Sequence, residues 1–452
     1  MIRFVDLFAG IGGMRLGFEQ CMQERGVNHA CVLSSEIDSH AQETYRMNFG
    51  ECPQGDIYKI KKFPAFDFLL AGFPCQPFSY AGKQKGFADT RGTLFFEIER
   101  LLATHQPRGF LLENVRGLTT HDGGRTLNTI VAKLTNLGYG VHCLLLNSSE
   151  FNVPQNRVRI YIVGLKGQAP LLTLQSNRGA TDSHQYKRSR ATGDLFSGTS
   201  PLVVRDILEP SPPAAYDCSP FFQARMQAIL AQKKLPVDGV RLIDYRNGNS
   251  IHSWELGIKG VCSADEIGFM NALIANRRKK SFGAHQDGKS LTQEQIESFF
   301  QHPHLDEIIA SLLQKKYLRV RGGLYNPVSG NMSFEVFKFL DPESISITLV
   351  TSDAHKLGVA HRGRMRHITP RECARIQGYP ETYQPHPLDM HAYRQFGNSV
   401  SVPVVKAVLA DLFSNNAVFT TVVPNVKPAP AQTEAANIGR AIHNTPAATI
   451  ID

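Results

Sequence analysis

The sequence contains no C-x-x-C pair, so zinc sites of the usual paired-cysteine spacing are not expected and no metal is assigned. Its eight cysteines, at 21, 31, 52, 75, 143, 218, 262 and 373, lack the look of a disulfide framework. The start carries no signal-peptide pattern, no apolar run approaches the length of a bilayer span, and no internal repeat is visible. These absences point to a reduced, soluble, cytosolic protein without a membrane role. Charge is sparse as well. Only 20% of the 452 residues are charged against 42% hydrophobic, the balance of a globular chain with a sizeable core. The net charge of +9 is compatible with a polyanionic partner but modest for this length.

What is present is an alternation of strand and helix patterns. Short apolar strands are predicted at residues 3–8, 30–34, 66–71, 109–112, 139–146 and 159–164. Amphipathic helices fall between them, one at 39–47 behind Asp38 as N-cap. This order predicts an α/β fold with a doubly wound, mostly parallel sheet. The alternation weakens after residue 166, and residues 175–200 read as a linker. Further on, helices at 291–300 and 305–314 precede a β-ribbon formed by 317–320 and 333–339, a combination that suits a groove-reading module. Regular structure returns at Thr369, where TPRE is a capping box, and residues 405–412 mark a last helix. The Ala/Pro/Thr-rich end predicts a disordered tail.

Four stretches carry chemistry. FVDLFAGIGG (4–13) is a strand running into a glycine turn that opens a helix, the form of a nucleotide-type cofactor loop. Arg15 stands where a dinucleotide fingerprint would need its third glycine, and tight helix packing alone would also explain the glycines. Glu36 ends the second strand, where an acidic residue can hold ribose hydroxyls, and Asp56 offers a carboxylate to an adenine amino group. In LLAGFPCQPFSYAG (69–82), Cys75 sits alone between two prolines just after a strand. A buried structural thiol is the commoner fate of cysteine, but stiff backbone at a strand's carboxyl end favours a nucleophile. Glu113 in FLLENVRGL ends another strand, where a carboxylate is costly unless paired or functional. Arg157 and Arg159 alternate onto one strand face, either toward a site or in salt bridges along the sheet.

Taken together, FAGIGG, SSEID, GDI, GFPCQPFS, ENV, QNRVR, RHITPRECARIQGYP and QFGNSV resemble the ordered motifs of the cytosine-5 DNA methyltransferase family, of the bacterial restriction-modification type. They span residues 4 to about 410 in that family's order, around a variable region. The resemblance implies S-adenosyl-L-methionine as cofactor. Phe8, Gly10 and Gly12 would form its loop, Glu36 would hold the ribose, Ile37 would pack near the adenine and Asp56 would hydrogen-bond it. Asn398 and Ser399 would complete the pocket from the far end of the chain. Cys75, Glu113, Arg157 and Arg159 would be catalytic, the two arginines lining the catalytic loop and base pocket with Gln76 and Ser79. Ile37 departs mildly from the family, where that position is often aromatic.

The implied partner is double-stranded DNA, bound by a monomer. A cognate restriction endonuclease would act on the same short palindrome without direct contact. The implied division is a catalytic and cofactor-binding domain at 1–170 and a target-recognition domain at 171–355. A returning segment at 356–415 and the tail at 416–452 complete it. An RNA methyltransferase would share the motifs but not need the long insertion. A nicotinamide dehydrogenase would leave Cys75 unexplained, and a catalytically dead relative would be expected to have lost Cys75 or Glu113.

Overall fold

Runs of alternating apolar residues become strands because both faces of the sheet are covered. In the computed structural model, which describes residues 1–73, 94–176, 202–245, 250–282, 290–330 and 333–417, the first sheet has six strands. These are β1 (Ile2–Leu7), β2 (His29–Ser35), β3 (Phe68–Gly72), β4 (Gly109–Val115), β5 (Tyr139–Asn147) and β6 (Val158–Lys166), in the order β2-β1-β3-β4-β6-β5. The pairs β2–β1, β1–β3 and β3–β4 are parallel, whereas β6 runs antiparallel to both β4 and β5. The mostly parallel sheet expected from the sequence is thus observed, with one reversed strand.

Strand β3 shows how the layers form. It sends Phe68 and Leu70 to one face and Leu69 and Ala71 to the other, and all four are fully buried. The first face is covered by α1 (Gly13–Glu24), the second by α3 (Leu94–His105) and α4 (Arg125–Asn136). Helix α2 (Ser39–Phe49) follows β2, and Asp38 Oδ1 accepts from the His40 and Ala41 amides as the predicted cap.

A second sheet is ordered β13-β12-β11-β7-β8. It comprises β7 (Arg241–Leu242), β8 (Ser250–Ile251), β11 (Lys338–Leu340), β12 (Leu357–His361) and β13 (Arg364–His367). Around it lie α5 (Val204–Ile207), α6 (Pro220–Lys233) and α7 (Ser253–Leu256). Beyond come α8 (Ala264–Asn276), α9 (Gln293–Glu297), α10 (Leu305–Gln314) and a hairpin of β9 (Leu318–Arg321) with β10 (Leu324–Pro327).

The hairpin corrects the sequence reading, which paired 317–320 with 333–339. Strand β9 instead closes on β10 across Gly322 and Gly323, whose φ of +54° and +72° suit a two-residue turn. Lys338–Leu340 joins the second sheet between β7 and β12. The predicted helix at 291–300 shrinks to α9 because Leu291 pairs with Tyr325.

The chain then returns through α11 (Pro370–Ile376), α12 (Asp389–Asn398) and α13 (Val402–Asn415). Thr369 and Glu372 form the capping box read from the sequence. Residues Asp389–Asn415 are long and apolar enough to cross a membrane by composition. They are nevertheless two helices. In α13, Val404, Val405, Val408, Leu409 and Leu412 are fully buried in the core shared by α1 and the first sheet. Burying each contributes roughly 1.5–3 kcal/mol relative to leaving it in water.

Candidate active site

Parallel pairing puts the carboxyl ends of β1, β2, β3 and β4 on one edge of the first sheet, where ligand sites of open α/β sheets gather. Phe8, Glu36, Gly72 and Glu113 stand at those four ends. Phe8 leaves β1 at φ +55°, and Gly10 follows at +53° with open space where a Cβ would lie. Gly12 caps α1 at φ +81°.

Glu36 binds this turn directly. Its Oε2 accepts from the Gly10 amide at 2.8 Å, while Oε1 accepts from Ile37 and Asp38 at 2.8 and 2.9 Å. The carboxylate therefore fixes the loop and still has acceptor capacity to spare. Ile37 is 75% exposed, an apolar side chain presented at the edge of the turn. Asp56 Oδ1 accepts from the Tyr58 amide at 3.1 Å, which starts a short 3-10 turn. An open glycine turn, a flanking exposed isoleucine and two carboxylates fit a nucleoside-bearing cofactor.

Beneath the loop lies a group that the sequence reading did not single out. Asp6 on β1 is fully buried, and burial pushes its carboxyl well above the usual range while Arg15 opposes the shift. An acid following the apolar pair Phe4 and Val5 within the strand was the available signal.

Glu113 is 8% exposed, and its Oε1 lies 3.2 Å from Arg159 Nε on the adjacent strand β6. Burial raises its pKa from 4.5, and Arg159 and Arg157 pull the other way. In register, Glu113 stands beside Gly72, and Cys75 follows Gly72 by three residues in the chain. Cys75, Gln76 and Ser79 themselves lie outside the described residues.

Arg157 behaves differently from Arg159. It is 3% exposed and donates to the Leu349 carbonyl at 2.9 Å and to the Ser399 carbonyl. It therefore clamps the returning segment to the sheet. Ser399 Oγ is 2.5 Å from Tyr379 Oη, and Asn398 Oδ1 accepts from Thr351 Oγ1. Gln155 extends the clamp, donating to the Ile376 carbonyl at 3.0 Å and to Gln377 Oε1 at 3.2 Å. Asn398 and Ser399 are thus held by contacts that the sequence reading missed.

Among the described residues, two groups of side chains have metal-ligand composition: His40, Glu43 and His386, and Cys218, Glu335 and His367. In the first, the Leu388 amide donates to His386 Nδ1, which leaves the proton on Nε2, 3.2 Å from Glu43 Oε2. In the second, both Glu335 oxygens are engaged by Ser219, through its amide and its hydroxyl.

The fold and this edge define an α/β protein with its candidate ligand site at the carboxyl ends of the parallel strands, and comparison with known proteins narrows it. Residues 2–414 match the model of the C-5 cytosine-specific DNA methylase family. The chain is 67% identical to the type II methyltransferase M.HgiCI of Herpetosiphon aurantiacus over 415 residues, covering 92% of this chain and 98% of that relative. It is 63% identical to the type II methyltransferase M.BanI of Aneurinibacillus aneurinilyticus, with coverage of 92% and 96%. Among solved structures, one described as a prophage-encoded DNA modification methyltransferase of E. coli shares the fold. Its TM-score is 0.51 at 20% identity, over 92% of this chain and 99% of that one. The chain belongs to the C-5 cytosine-specific DNA methylase family. It is a DNA cytosine-5 methyltransferase, with DNA as substrate and a requirement for a methyl donor.

Proposed function

We propose that this enzyme methylates carbon 5 of a cytosine flipped out of duplex DNA, by a covalent route through Cys75, with S-adenosyl-L-methionine as donor. The observation that carries the reading is Glu113, a buried carboxyl held by Arg159 at the carboxyl end of β4, one strand from the segment that leads to Cys75.

Carbon 5 of cytosine is too poor a nucleophile to react unaided. The Cys75 thiolate adds to ring carbon 6 and places electron density on carbon 5. Glu113 holds the ring nitrogen and amino group, and in its protonated form it donates to the ring nitrogen as negative charge develops there. Its raised pKa supports that role. When bound, S-adenosyl-L-methionine supplies an electrophilic methyl group. Gly10 and Gly12 would lie along it, Glu36 would accept from the ribose, Ile37 and Asp56 would meet the adenine, and Asn398 and Ser399 would close the pocket. Loss of the carbon-5 proton and expulsion of the thiolate restore the aromatic ring. A stacked base offers neither face to these groups, so flipping is required.

The two type II relatives support placing the chain in a type II restriction-modification system, protecting a short site from an endonuclease of the same specificity. It would act in the cytosol as a monomer. Residues 1–170 and 356–415 form the catalytic part, and residues 171–355 read the target. Bisulfite sequencing of DNA from a methylation-free host expressing the protein tests the function. A single methylated site is expected. Methylation of tRNA with DNA left untouched would overturn the reading.

A further inference from the structure

Residues 264–327 build a unit with its own core, in which Phe269, Leu273, Leu291, Ile296, Ile308, Leu312 and Leu318 are buried together. Its order is helix α8, the bridging residue Leu291, helices α9 and α10, then the β9–β10 hairpin. Leu291 exchanges backbone hydrogen bonds with Tyr325 at 3.0 and 2.8 Å, so it lies beside the hairpin as a one-residue third strand. Helix, strand, helix, helix and hairpin is the order of a winged helix–turn–helix, a unit that meets DNA through its second paired helix or through its wing.

Charge distinguishes the two faces. Helix α10 opens with Asp306 and Glu307 and contains no lysine or arginine, and Glu297 of α9 lines the same groove. Carboxylates there would oppose phosphates. The hairpin carries Arg319 and Arg321, both exposed and on one face by strand alternation. Neither forms an ion pair with a carboxylate among the described residues. Two neighbouring basic groups are engaged internally: Lys315 Nζ lies 2.7 Å from both Glu266 oxygens, and buried Arg277 donates to Asn326 at 2.6 Å. Val320 and Leu324, 42% and 40% exposed, flank the glycine tip.

We propose that this unit docks on duplex DNA through its wing, with Arg319 and Arg321 as the contacting cations and α10 turned away from the groove. The proposal rests on the DNA methyltransferase reading above. A two-stranded ribbon fits the major groove, and arginine pairs with either phosphate or guanine there.

The test uses the full-length protein and fluorescence anisotropy on two labelled duplexes, one with the methylated site and one scrambled, across a salt series. Arg319→Ala and Arg321→Ala are each expected to weaken binding by roughly tenfold, the scale of one lost charged contact. If the partner is phosphate, both duplexes are affected and the salt slope falls by about one per arginine. If it is a base, the loss is confined to the site duplex. Asp306→Asn with Glu307→Gln should leave affinity unchanged. A thermal melt equal to wild type is expected for all these surface variants, and Arg319→Lys should retain more binding than Arg319→Ala at a phosphate. Arginine variants that bind and methylate like wild type would overturn the wing. So would a loss of binding confined to the α10 variant. Failure of the wild type to methylate any duplex would instead overturn the function itself.

Discussion

Arg159 Nε lies 3.2 Å from Glu113 Oε1 across the antiparallel β4–β6 pair, and the two side chains are only 14% and 10% exposed. Within this pair burial dominates. It moves the Glu113 pKa upward from 4.5 although Arg159 and then Arg157 oppose it. The pair thus keeps a carboxyl oriented while leaving its protonated form accessible above the ordinary carboxylate range.

The pH dependence follows from that sign. A raised pKa in the folded protein means that the protonated form, and the stability it contributes, is fully present below about pH 4.5 and lost as pH rises through the folded value. Activity that uses protonated Glu113 should therefore show a limb descending with pH that is absent in Glu113→Gln. Rate profiles of kcat/KM for both proteins check this. The variant itself should lose roughly two to four orders of magnitude in rate, the usual scale of a lost acid–base group.

Glu36→Ala should act mainly on the cofactor. It removes the hydrogen bond from Gly10 that holds the glycine turn, and those from Ile37 and Asp38, along with the proposed ribose contact. Charge-assisted bonds are worth roughly 1.5–3 kcal/mol, so the dissociation constant for S-adenosyl-L-methionine should rise by about one to two decades. Calorimetric titration measures it, and an unchanged constant would move the ribose contact elsewhere.

Stability rests in part on a buried ion pair in the returning segment. Arg366 meets Glu372 through two bonds of 2.8 and 2.7 Å, with side chains 3% and 0% exposed. Arg366→Met should cost about 3–5 kcal/mol, because it strands a buried carboxylate. Urea unfolding reads the loss. Arg366→Met with Glu372→Leu should recover part of it, since the leucine leaves no charge behind but still forfeits the cap on Thr369.

Local signals were legible in the sequence wherever neighbours in the chain decide the structure. Asp38 and Thr369 cap their helices through partners two or three residues away, and the apolar alternation marks β1, β3 and β4. Long-range partnerships were not. Arg157 reads as a site residue, yet it holds carbonyls at 349 and 399 that only the fold brings near. The ribbon was assigned the wrong partner because its turn residues, Gly322 and Gly323, permit a closer return than the one to 333–339. The tail from 418 onward and Cys75 lie outside the described residues.

The covalent route through Cys75 is tested most directly with a duplex carrying 5-fluorocytosine at the methylated position. Fluorine cannot leave as the carbon-5 proton does, so the adduct formed after methyl transfer should persist. Intact mass spectrometry after denaturation should then find protein joined to DNA through the peptide bearing Cys75, with no adduct in Cys75→Ser. A wild-type complex that comes apart fully on denaturation, although methyl transfer has occurred, would contradict the account.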